Sequence, residues 1–140
     1  MLSPLTAVRA ALAAYARKDR TAIEALIARD YRFTSPMDNG LDRDAYFAIC
    51  WPNSETMKRA DIIHGSEDRE RAFVVYEAEN SDGKRFRNCE LHHVVDGRIV
   101  ETEVYFGWNL PHPVPEGEHR TDGGKSEERG GDAAASTKEN

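Results

Sequence analysis

Cysteine is scarce in this sequence, and basic residues are outnumbered by acidic ones. The 140 residues include two cysteines, Cys50 and Cys89, without paired spacing, so we expect no disulfide framework and a reducing compartment. The formal net charge is −6, whereas proteins that bind nucleic acid or acidic membrane surfaces usually carry a basic patch. These shortages predict a protein that binds neither nucleic acid nor membrane.

Long apolar runs and recognisable cofactor motifs are also missing. No segment approaches the roughly 18 apolar residues of a membrane-spanning helix, and the first residues lack the basic start and apolar core of a signal peptide. The histidines do not have the spacing of metal ligands, and no glycine-rich phosphate loop is present. We therefore expect a cytoplasmic protein with no metal and no cofactor.

A hairpin pattern dominates what the sequence does contain, in residues 84–108. Two β-rich runs flank Asp96-Gly97, and this dipeptide between alternating apolar residues favours a two-residue turn. Such a turn would place Val95 opposite Arg98 and fix the pairing along both arms. The dry face of the hairpin would then carry Cys89, Leu91, His93, Val95, Val100, Thr102, Val104 and Phe106.

The upstream sequence predicts three helices that can cover this dry face, because capping residues precede apolar residues at helical spacing. The predicted elements are helices at 3–16, 19–30 and 42–51, strands at 31–34, 57–64 and 72–79, and a loop at 35–40. Helices followed by a meander of strands indicate an α+β domain, with the helices on one side of a bent, antiparallel sheet.

Residues 109–140 differ in composition from the rest of the chain. They begin with a proline-rich stretch and continue with Gly, Glu, Ser, Lys and Ala, without large apolar side chains. Such a segment cannot recover the entropy cost of ordering. We therefore predict one domain over residues 1–108 and a proline-rich exit with a disordered tail over 109–140.

The order of these elements resembles that of the SnoaL-like polyketide cyclases and the ketosteroid isomerases, members of the nuclear-transport-factor-2-like (NTF2-like) superfamily. The resemblance covers about residues 3–108 and is most specific in RKDRTAIEALIARDYRFTSP (17–36) and VVDGRIVETEVYFG (94–107). It implies a cone, in which a strongly curved, mixed but mostly antiparallel sheet wraps around three helices and leaves an apolar pocket. It also implies a homodimer formed through the sheet.

The catalytic residues of the isomerases have no counterpart here. The resemblance places Ser35 where isomerases have a catalytic aspartate, and it places Ala11 and Leu91 where they have donors to the oxyanion. A serine hydroxyl is too weak a base at neutral pH without an activating partner. Steroid isomerisation by that mechanism is therefore not expected.

His93 is the most informative candidate for catalysis. On the predicted register it is a titratable side chain on the dry face, and a desolvated histidine suits general acid–base chemistry. The resemblance to cyclase-type members also implies a histidine at this position, although Gly107 stands where they have an acid, with Glu103 nearby. The alternative is a buried histidine that is hydrogen-bonded for structural reasons. Its neighbour His92 is expected to face outwards, opposite Glu101.

Further residues are predicted to complete the pocket. Asp38 can supply a base if its loop folds inwards, although Asp38-Asn39-Gly40 is also typical of a turn. The Tyr15 hydroxyl can point into the cone, although aromatic residues at helical spacing usually pack in the core. The predicted ligand-binding residues are Tyr46, Cys50, Trp51, Leu91, Val104, Phe106 and Trp108.

Two functions therefore remain open. The first is a cofactor-free acid–base enzyme of the isomerase, cyclase or dehydratase class, which uses His93 on a small apolar, ring-containing molecule. The second is a non-catalytic ligand-binding or dimerisation module with the same pocket. The residues predicted for the outer, dimer-forming face are Val74, Tyr76, Val94, Ile99 and Tyr105.

Overall fold

The computed structural model of the protein describes residues 1–121. The predicted tail therefore lies outside the described residues from position 122 onwards. The boundary at residue 108 stays a prediction, and the last strand itself continues to Leu110.

Two capped helices begin the chain. Helix α1 spans Pro4–Arg17, and its first turn is capped by the Ser3 hydroxyl, which accepts a hydrogen bond from a backbone N–H. Helix α2 spans Arg20–Leu26 and is capped in the same way by the Asp19 carboxylate. Both starts agree with the sequence pattern, because Ser and Asp satisfy the unpaired N–H groups of a first turn.

Helix α2 ends earlier than predicted. Its last residue is Leu26 rather than Asp30, and Ile27 already has extended backbone angles. Strand β1 begins there, and Ile27 pairs with Ile99 of the last strand. The tertiary pairing thus overrides the local helical pattern, as commonly happens for β-branched residues beside a sheet.

The third helical segment is irregular. It consists of one α-helical turn, α3 at Arg43–Ala45, then a wide π turn at Tyr46–Cys50 and a 3₁₀ segment at Trp51–Thr56. Pi turns are rare and often occur at functional sites. The buried side chains of this segment include Tyr46, Phe47, Cys50 and Trp51.

Six strands form one curled sheet in the order β2-β1-β6-β5-β4-β3. Their bounds are β1 Ile27–Ser35, β2 Asp38–Leu41, β3 Met57–Asp68, β4 Arg71–Asn80, β5 Arg85–Val95 and β6 Arg98–Leu110. Strand β1 is parallel to β6, and the other neighbours are antiparallel. The sheet curls around α1, which contacts four of the strands, and does not close. This arrangement confirms the predicted α+β fold, while the predicted loop at 35–40 proves to be a tight turn leading into β2.

A β-bulge in the β5–β6 hairpin decides which side chains face the helices. The turn pairs Val95 with Arg98 as predicted, whereas His93 pairs with Glu101 rather than with Val100. Val100 is thus an extra residue on β6. Because side chains alternate along a strand, one extra residue changes which side chains of the two arms share a face.

The bulge overturns the predicted inner face of β5. The prediction was right for three residues of β6: Thr102, Val104 and Phe106. It was wrong for Cys89, Leu91, His93, Val95 and Val100, because the inner face of the hairpin is formed by Asn88, Glu90, His92, Val94 and Ile99. The prediction for the outer face was also wrong for four of its five residues, because of the same bulge and because of the register of β4. Val74, Tyr76, Val94 and Ile99 are buried, whereas Tyr105 is exposed.

Candidate functional site

A cavity lies between α1, the π turn and the concave face of the sheet. Its volume is about 120 Å³, about ten times the room that one water needs. Most of the surface of its wall is apolar. The polar side chains that line it are Tyr15, Tyr31, Ser35, Asp38, Tyr46, Cys50, Asn53, Tyr76, Asn88, Glu90, His92 and Thr102.

The cavity brings together residues that lie far apart in the sequence. The predicted site residues that line it are Tyr15, Asp38, Tyr46, Cys50, Val104 and Phe106. Tyr15 donates a hydrogen bond from its hydroxyl to the carbonyl of Cys50, at 3.3 Å. Helix α1 and the π turn are thereby joined at the cavity wall. The catalytic roles predicted for Tyr15 and Asp38 remain predictions.

His93 and Leu91 lie outside the cavity, contrary to prediction. The His93 ring places Nε2 3.0 Å from Oε1 of Glu70, and this exposed hydrogen bond lies on the outer face of the sheet. Leu91 is on the same face, between its strand neighbours Phe73 and Glu103. Both errors have one physical reason, the bulge in β6. The extra residue changes the pairing, so that Asn88, Glu90 and His92 of β5 face inwards and Leu91 and His93 face outwards.

The two tryptophans do not line the cavity either. Trp51 is buried behind it and packs edge-on against Tyr15, with ring centroids 5.5 Å apart. Trp108 is 43% exposed and lies 5.5 Å from the ring of His112. Contrary to the predicted pocket, neither is among the side chains that line the cavity, and their contact with a ligand stays a prediction.

A chain of hydrogen bonds crosses the sheet along the cavity wall. The Gly107 N–H donates to Asn88 Oδ1 at 3.2 Å, which fixes the orientation of the amide because a backbone N–H can only donate. The Asn88 amide then donates to the Tyr76 hydroxyl at 3.2 Å. Tyr76 in turn donates to Glu90 Oε2 at 2.9 Å. The Gly107 N–H, which can only donate, thus determines which group donates and which accepts in each bond of this chain.

Glu90 continues the chain to His92 and Thr102. Glu90 Oε1 lies 2.8 Å from His92 Nε2, and a carboxylate can only accept, so Nε2 carries the proton. The other ring nitrogen, Nδ1, lies 2.9 Å from the Thr102 hydroxyl. Glu90 is 8% exposed and His92 4%. With the proton on Nε2, Nδ1 accepts the hydrogen bond of the Thr102 hydroxyl at the cavity wall.

The tyrosines that line the cavity remain neutral at physiological pH. Burial raises the pKa of Tyr15, Tyr31, Tyr46 and Tyr76 above the ordinary value. For Tyr76, the negative charge of Glu90 raises the pKa further. These phenols thus act as hydrogen-bond donors rather than as bases.

Asp38 stands at a different part of the cavity, at the start of β2. The Ser35 hydroxyl donates to Asp38 Oδ2 at 2.7 Å, across the tight turn between β1 and β2. The Cys50 thiol lies 3.9 Å from the same oxygen. The turn therefore places a carboxylate on the cavity wall, as the prediction for Asp38 required.

The described residues also bear on metal binding and on insertion into a membrane. Over residues 1–121, no group of three or more His, Cys, Asp and Glu side chains is arranged to hold a metal ion. In the same part of the chain, none of the helices combines the length and apolarity needed to span a bilayer.

Comparison with protein families matches residues 8–102 to the SnoaL-like domain. The chain belongs to the SnoaL-like domain family. The resemblance to SnoaL-like proteins that the sequence predicted is thus confirmed. A comparison of this SnoaL-like chain with curated proteins found no match.

Solved structures of NTF2-like proteins share the fold. An NTF2-like protein of unknown function from Cytophaga hutchinsonii is 19% identical, with a TM-score of 0.62, over 75% of this chain and 90% of the other. Wild-type IdmH from Streptomyces antibioticus, a proposed polyketide cyclase, is 19% identical, with a TM-score of 0.63, over 74% and 91%. An epoxide hydrolase of the LEH-like type from M. tuberculosis is 19% identical, with a TM-score of 0.62, over 73% and 80%. At these identities the likeness establishes the fold of the SnoaL-like chain, and function must be argued from its site.

Proposed function

We propose that this SnoaL-like protein is a cofactor-free enzyme that transfers a proton within a small, largely apolar, ring-containing molecule. The reaction class is isomerisation, cyclisation or dehydration. The observation that carries the proposal is the buried chain of Glu90, His92 and Thr102 at the cavity, with Nδ1 of the imidazole as its acceptor. This chain takes the place of the predicted site at His93.

The Glu90 carboxylate prepares His92 for the role of a general base. It holds the proton on Nε2, so that Nδ1 keeps its lone pair, and it stabilises the imidazolium that forms when Nδ1 takes a proton. A substrate proton reaches Nδ1 through the Thr102 hydroxyl, which gives its own hydrogen to the ring and receives the substrate's. Returning the proton to a different substrate atom completes the transfer without net change in the protein.

Neighbouring side chains suit the other requirements of such a reaction. Tyr31 is a neutral phenol that lines the cavity together with Thr102, and a donor near the base can stabilise an oxyanion that develops on the substrate. Val104 and Phe106 offer apolar surface to a ring, next to Tyr46 and Cys50. Two of the similar structures are described as a cyclase and a hydrolase, which supports a small-molecule reaction on the basis of the fold.

A second candidate function, ligand binding without turnover, is favoured by one observation. Both ring nitrogens of His92 and both carboxylate oxygens of Glu90 already have protein partners. A network satisfied in this way can serve stability alone. In that case the cavity takes up the same class of molecule but forms no product.

The experiment uses two adjacent histidines as a matched pair. Purified protein is incubated with a panel of small cyclic ketones, enones and hydroxyketones in deuterated water, and product formation and deuterium uptake into each compound are followed by NMR. We expect turnover by the unaltered protein, a loss of about 10²-fold or more in kcat for His92→Ala, and no loss for His93→Ala. Glu90→Gln should also reduce kcat, because it removes the charge that stabilises the imidazolium.

The possible outcomes separate the two functions. Folding of each variant is checked by circular dichroism and thermal denaturation. A folded His92→Ala protein that retains full turnover would exclude the proposed base. Ligand-induced thermal stabilisation without product or deuterium uptake would favour the binding module.

We also propose that the protein acts in the cytoplasm and pairs through the outer face of its sheet. Phe73 and Tyr105 are 43% and 54% exposed on that face, and Leu91 lies between their strands. Exposed apolar and aromatic side chains of this kind are enriched at protein interfaces.

A further inference from the structure

Tyr46 differs in its hydrogen bonding from Tyr15 and Tyr76 on the same cavity wall. The Tyr15 hydroxyl donates to a backbone carbonyl, and the Tyr76 hydroxyl donates to Glu90. Tyr46 is 6% exposed, yet its hydroxyl has no hydrogen-bond partner in the part of the chain that the structure describes. A buried hydroxyl that stays unpaired costs free energy, so this donor is available to a ligand.

The Tyr46 hydroxyl borders the cavity. Its side chain is one of those that line the cavity. Among residues 1–121, the side-chain oxygens and nitrogens that protein encloses completely without a partner do not include the Tyr46 oxygen. This oxygen therefore borders open space, and a molecule in the cavity can supply the acceptor that the protein does not.

The sheet brings Tyr46 close to the row of side chains that carries the proposed base. His92 on β5 pairs with Thr102 on β6, and Thr102 pairs with Phe33 on β1. Neighbouring strands lie about 4.8 Å apart, and all three side chains line the cavity, so they form one row across the concave face. The Tyr46 ring packs on Phe33, with ring centroids 5.3 Å apart. The phenol thus lies over the end of the row that holds the base.

Three aromatic neighbours fix the position of the Tyr46 ring. Its centroid lies 5.3 Å from those of Tyr31, Phe33 and Phe47. Burial raises the pKa of this phenol, so it stays protonated and donates, and Tyr31 adds a second neutral phenol beside it. A fixed neutral donor near a base can stabilise negative charge that develops on a substrate oxygen, because the donor does not have to reorient during the reaction.

We propose that Tyr46 binds the carbonyl oxygen of the substrate, which is a cyclic ketone with a removable hydrogen on the carbon beside the carbonyl. This inference rests on the proposed function and adds the chemical class of the substrate. When the C–H bond breaks, its proton passes to the pair of Thr102 and His92, and its electron pair forms a carbon–carbon double bond. The π electrons of the carbonyl move onto the oxygen, which accepts the hydrogen bond of Tyr46 while Tyr46 keeps its proton. Return of the proton to another atom of the substrate completes the reaction.

The first test measures binding of cyclohexanone, labelled with ¹³C at the carbonyl, to the full-length protein by NMR. A hydrogen bond to the oxygen withdraws electron density from the carbonyl carbon and moves its resonance downfield. We expect this shift in the unaltered protein and its loss in Tyr46→Phe, together with an affinity about fivefold lower. Methylenecyclohexane, which has a CH₂ group in place of the oxygen, should bind the variant no less tightly, and this also shows that the cavity is intact.

A control variant and a stability measurement accompany this test. Tyr105→Phe removes a hydroxyl that donates to Glu103 on the outer face, and it should change neither the shift nor the affinity. Tyr46→Phe should melt at the same temperature as the unaltered protein or at a higher one, because the hydroxyl it removes has no partner in the described part of the chain. A clearly lower melting temperature would show that the hydroxyl bonds to the protein, and would overturn the proposal.

Turnover separates this inference from the proposed function. For a ketone that the protein converts, Tyr46→Phe should lower kcat about 10²-fold or more, whereas His92→Ala should lose turnover and keep the carbonyl shift. The inference is overturned if cyclohexanone does not bind or if its shift is the same in Tyr46→Phe, and turnover that depends on His92 would then still support the proposed function. A shift that depends on Tyr46 without any turnover would support the inference and favour the binding module.

Discussion

His92 and His93 show how strongly the surroundings of a residue decide its role. They are adjacent and chemically identical, yet His92 is 4% exposed and lies between Glu90 and Thr102, whereas His93 pairs with Glu70 at the surface. Adjacent side chains on a strand point to opposite faces. Exposed pairs of this kind contribute little to stability. Both stability and chemistry therefore depend on the interior residue, His92, rather than on His93.

At the same scale, the Tyr76 hydroxyl should contribute more to the free energy of unfolding than the hydroxyl of an exposed tyrosine with a similar hydrogen bond. Tyr76→Phe removes the donor to Glu90 and the acceptor for Asn88, both buried. We expect a loss of about 1–3 kcal/mol in the free energy of unfolding, because buried polar groups lose their partners. Urea denaturation measures this loss.

The control for that prediction is Tyr105→Phe. Its hydroxyl donates to Glu103 at 2.6 Å, but on the exposed face, where water can replace the lost partner. We expect a change of less than about 0.5 kcal/mol. Equal losses in the two variants would show that the buried network adds nothing specific to stability.

Among the elements, β6 is the one whose irregularities shape the site. Besides the bulge at Val100, its register with β5 shifts again between the pairs formed by Phe86 and Asn88. Gly107 lies at this second irregularity, where the Arg87 carbonyl approaches closely. Glycine in a strand commonly marks such a close approach of two backbones.

Gly107→Ala should therefore be strongly destabilising. A Cβ at this position would lie 2.1 Å from the Arg87 carbonyl oxygen, and a backbone atom cannot rotate aside as a side chain can. We expect a loss of about 3 kcal/mol, together with a weakened bond from the Gly107 N–H to Asn88. Chemical denaturation gives the first quantity, and amide hydrogen exchange reports the second.

Gly83→Ala is the matched comparison. Gly83 has a positive φ of 86° but nothing within 4 Å of an added Cβ, so the cost is that of left-handed backbone alone, about 1–2 kcal/mol. A Gly107→Ala protein no less stable than Gly83→Ala would mean that the two strands separate easily at that point.

On the scale of the whole molecule, the buried phenols couple stability to alkaline pH. Burial raises the pKa of Tyr15, Tyr31, Tyr46 and Tyr76 in the folded protein, whereas in the unfolded chain tyrosines ionise near pH 10. Above that pH the unfolded state binds fewer protons than the folded state, so stability falls as pH rises. Below it, the stabilisation is fully present.

We therefore expect the phenolate absorbance to rise in two stages on titration. Tyr105, which is exposed, should ionise first, and the buried tyrosines should ionise only as the protein unfolds. Circular dichroism recorded alongside should show loss of structure with the second stage. Ionisation of all the tyrosines while the fold is retained would contradict the raised pKa values.

Pairing through the sheet is a further property of the whole molecule. Leu91→Glu places a charge between the exposed rings of Phe73 and Tyr105 and should convert a dimer into a monomer in sedimentation experiments, since burying an unpaired charge is costly. Met37→Glu, at a residue 42% exposed on the β1–β2 turn, should leave the assembly unchanged. An unaltered protein that sediments as a monomer at every concentration would exclude this dimer.

Much of the architecture followed from local chemistry in the sequence. Ser3 and Asp19 predicted the helix starts, Asp96-Gly97 predicted the turn that pairs Val95 with Arg98, and the element order predicted an α+β fold. These features depend on residues within a few positions of one another, such as a side chain that caps the N–H groups of its own turn. They are therefore encoded in short stretches of sequence.

The inner face of the hairpin was decided only by the tertiary structure. Val100 and Gly107 look regular in the sequence, and only the curvature needed to wrap the sheet around α1 accommodates the extra residues of β6. One extra residue exchanges the two faces of a strand. Short stretches of sequence thus encode the two helix starts and the hairpin turn, whereas the packing of a curved sheet on a helix places His92 rather than His93 at the cavity.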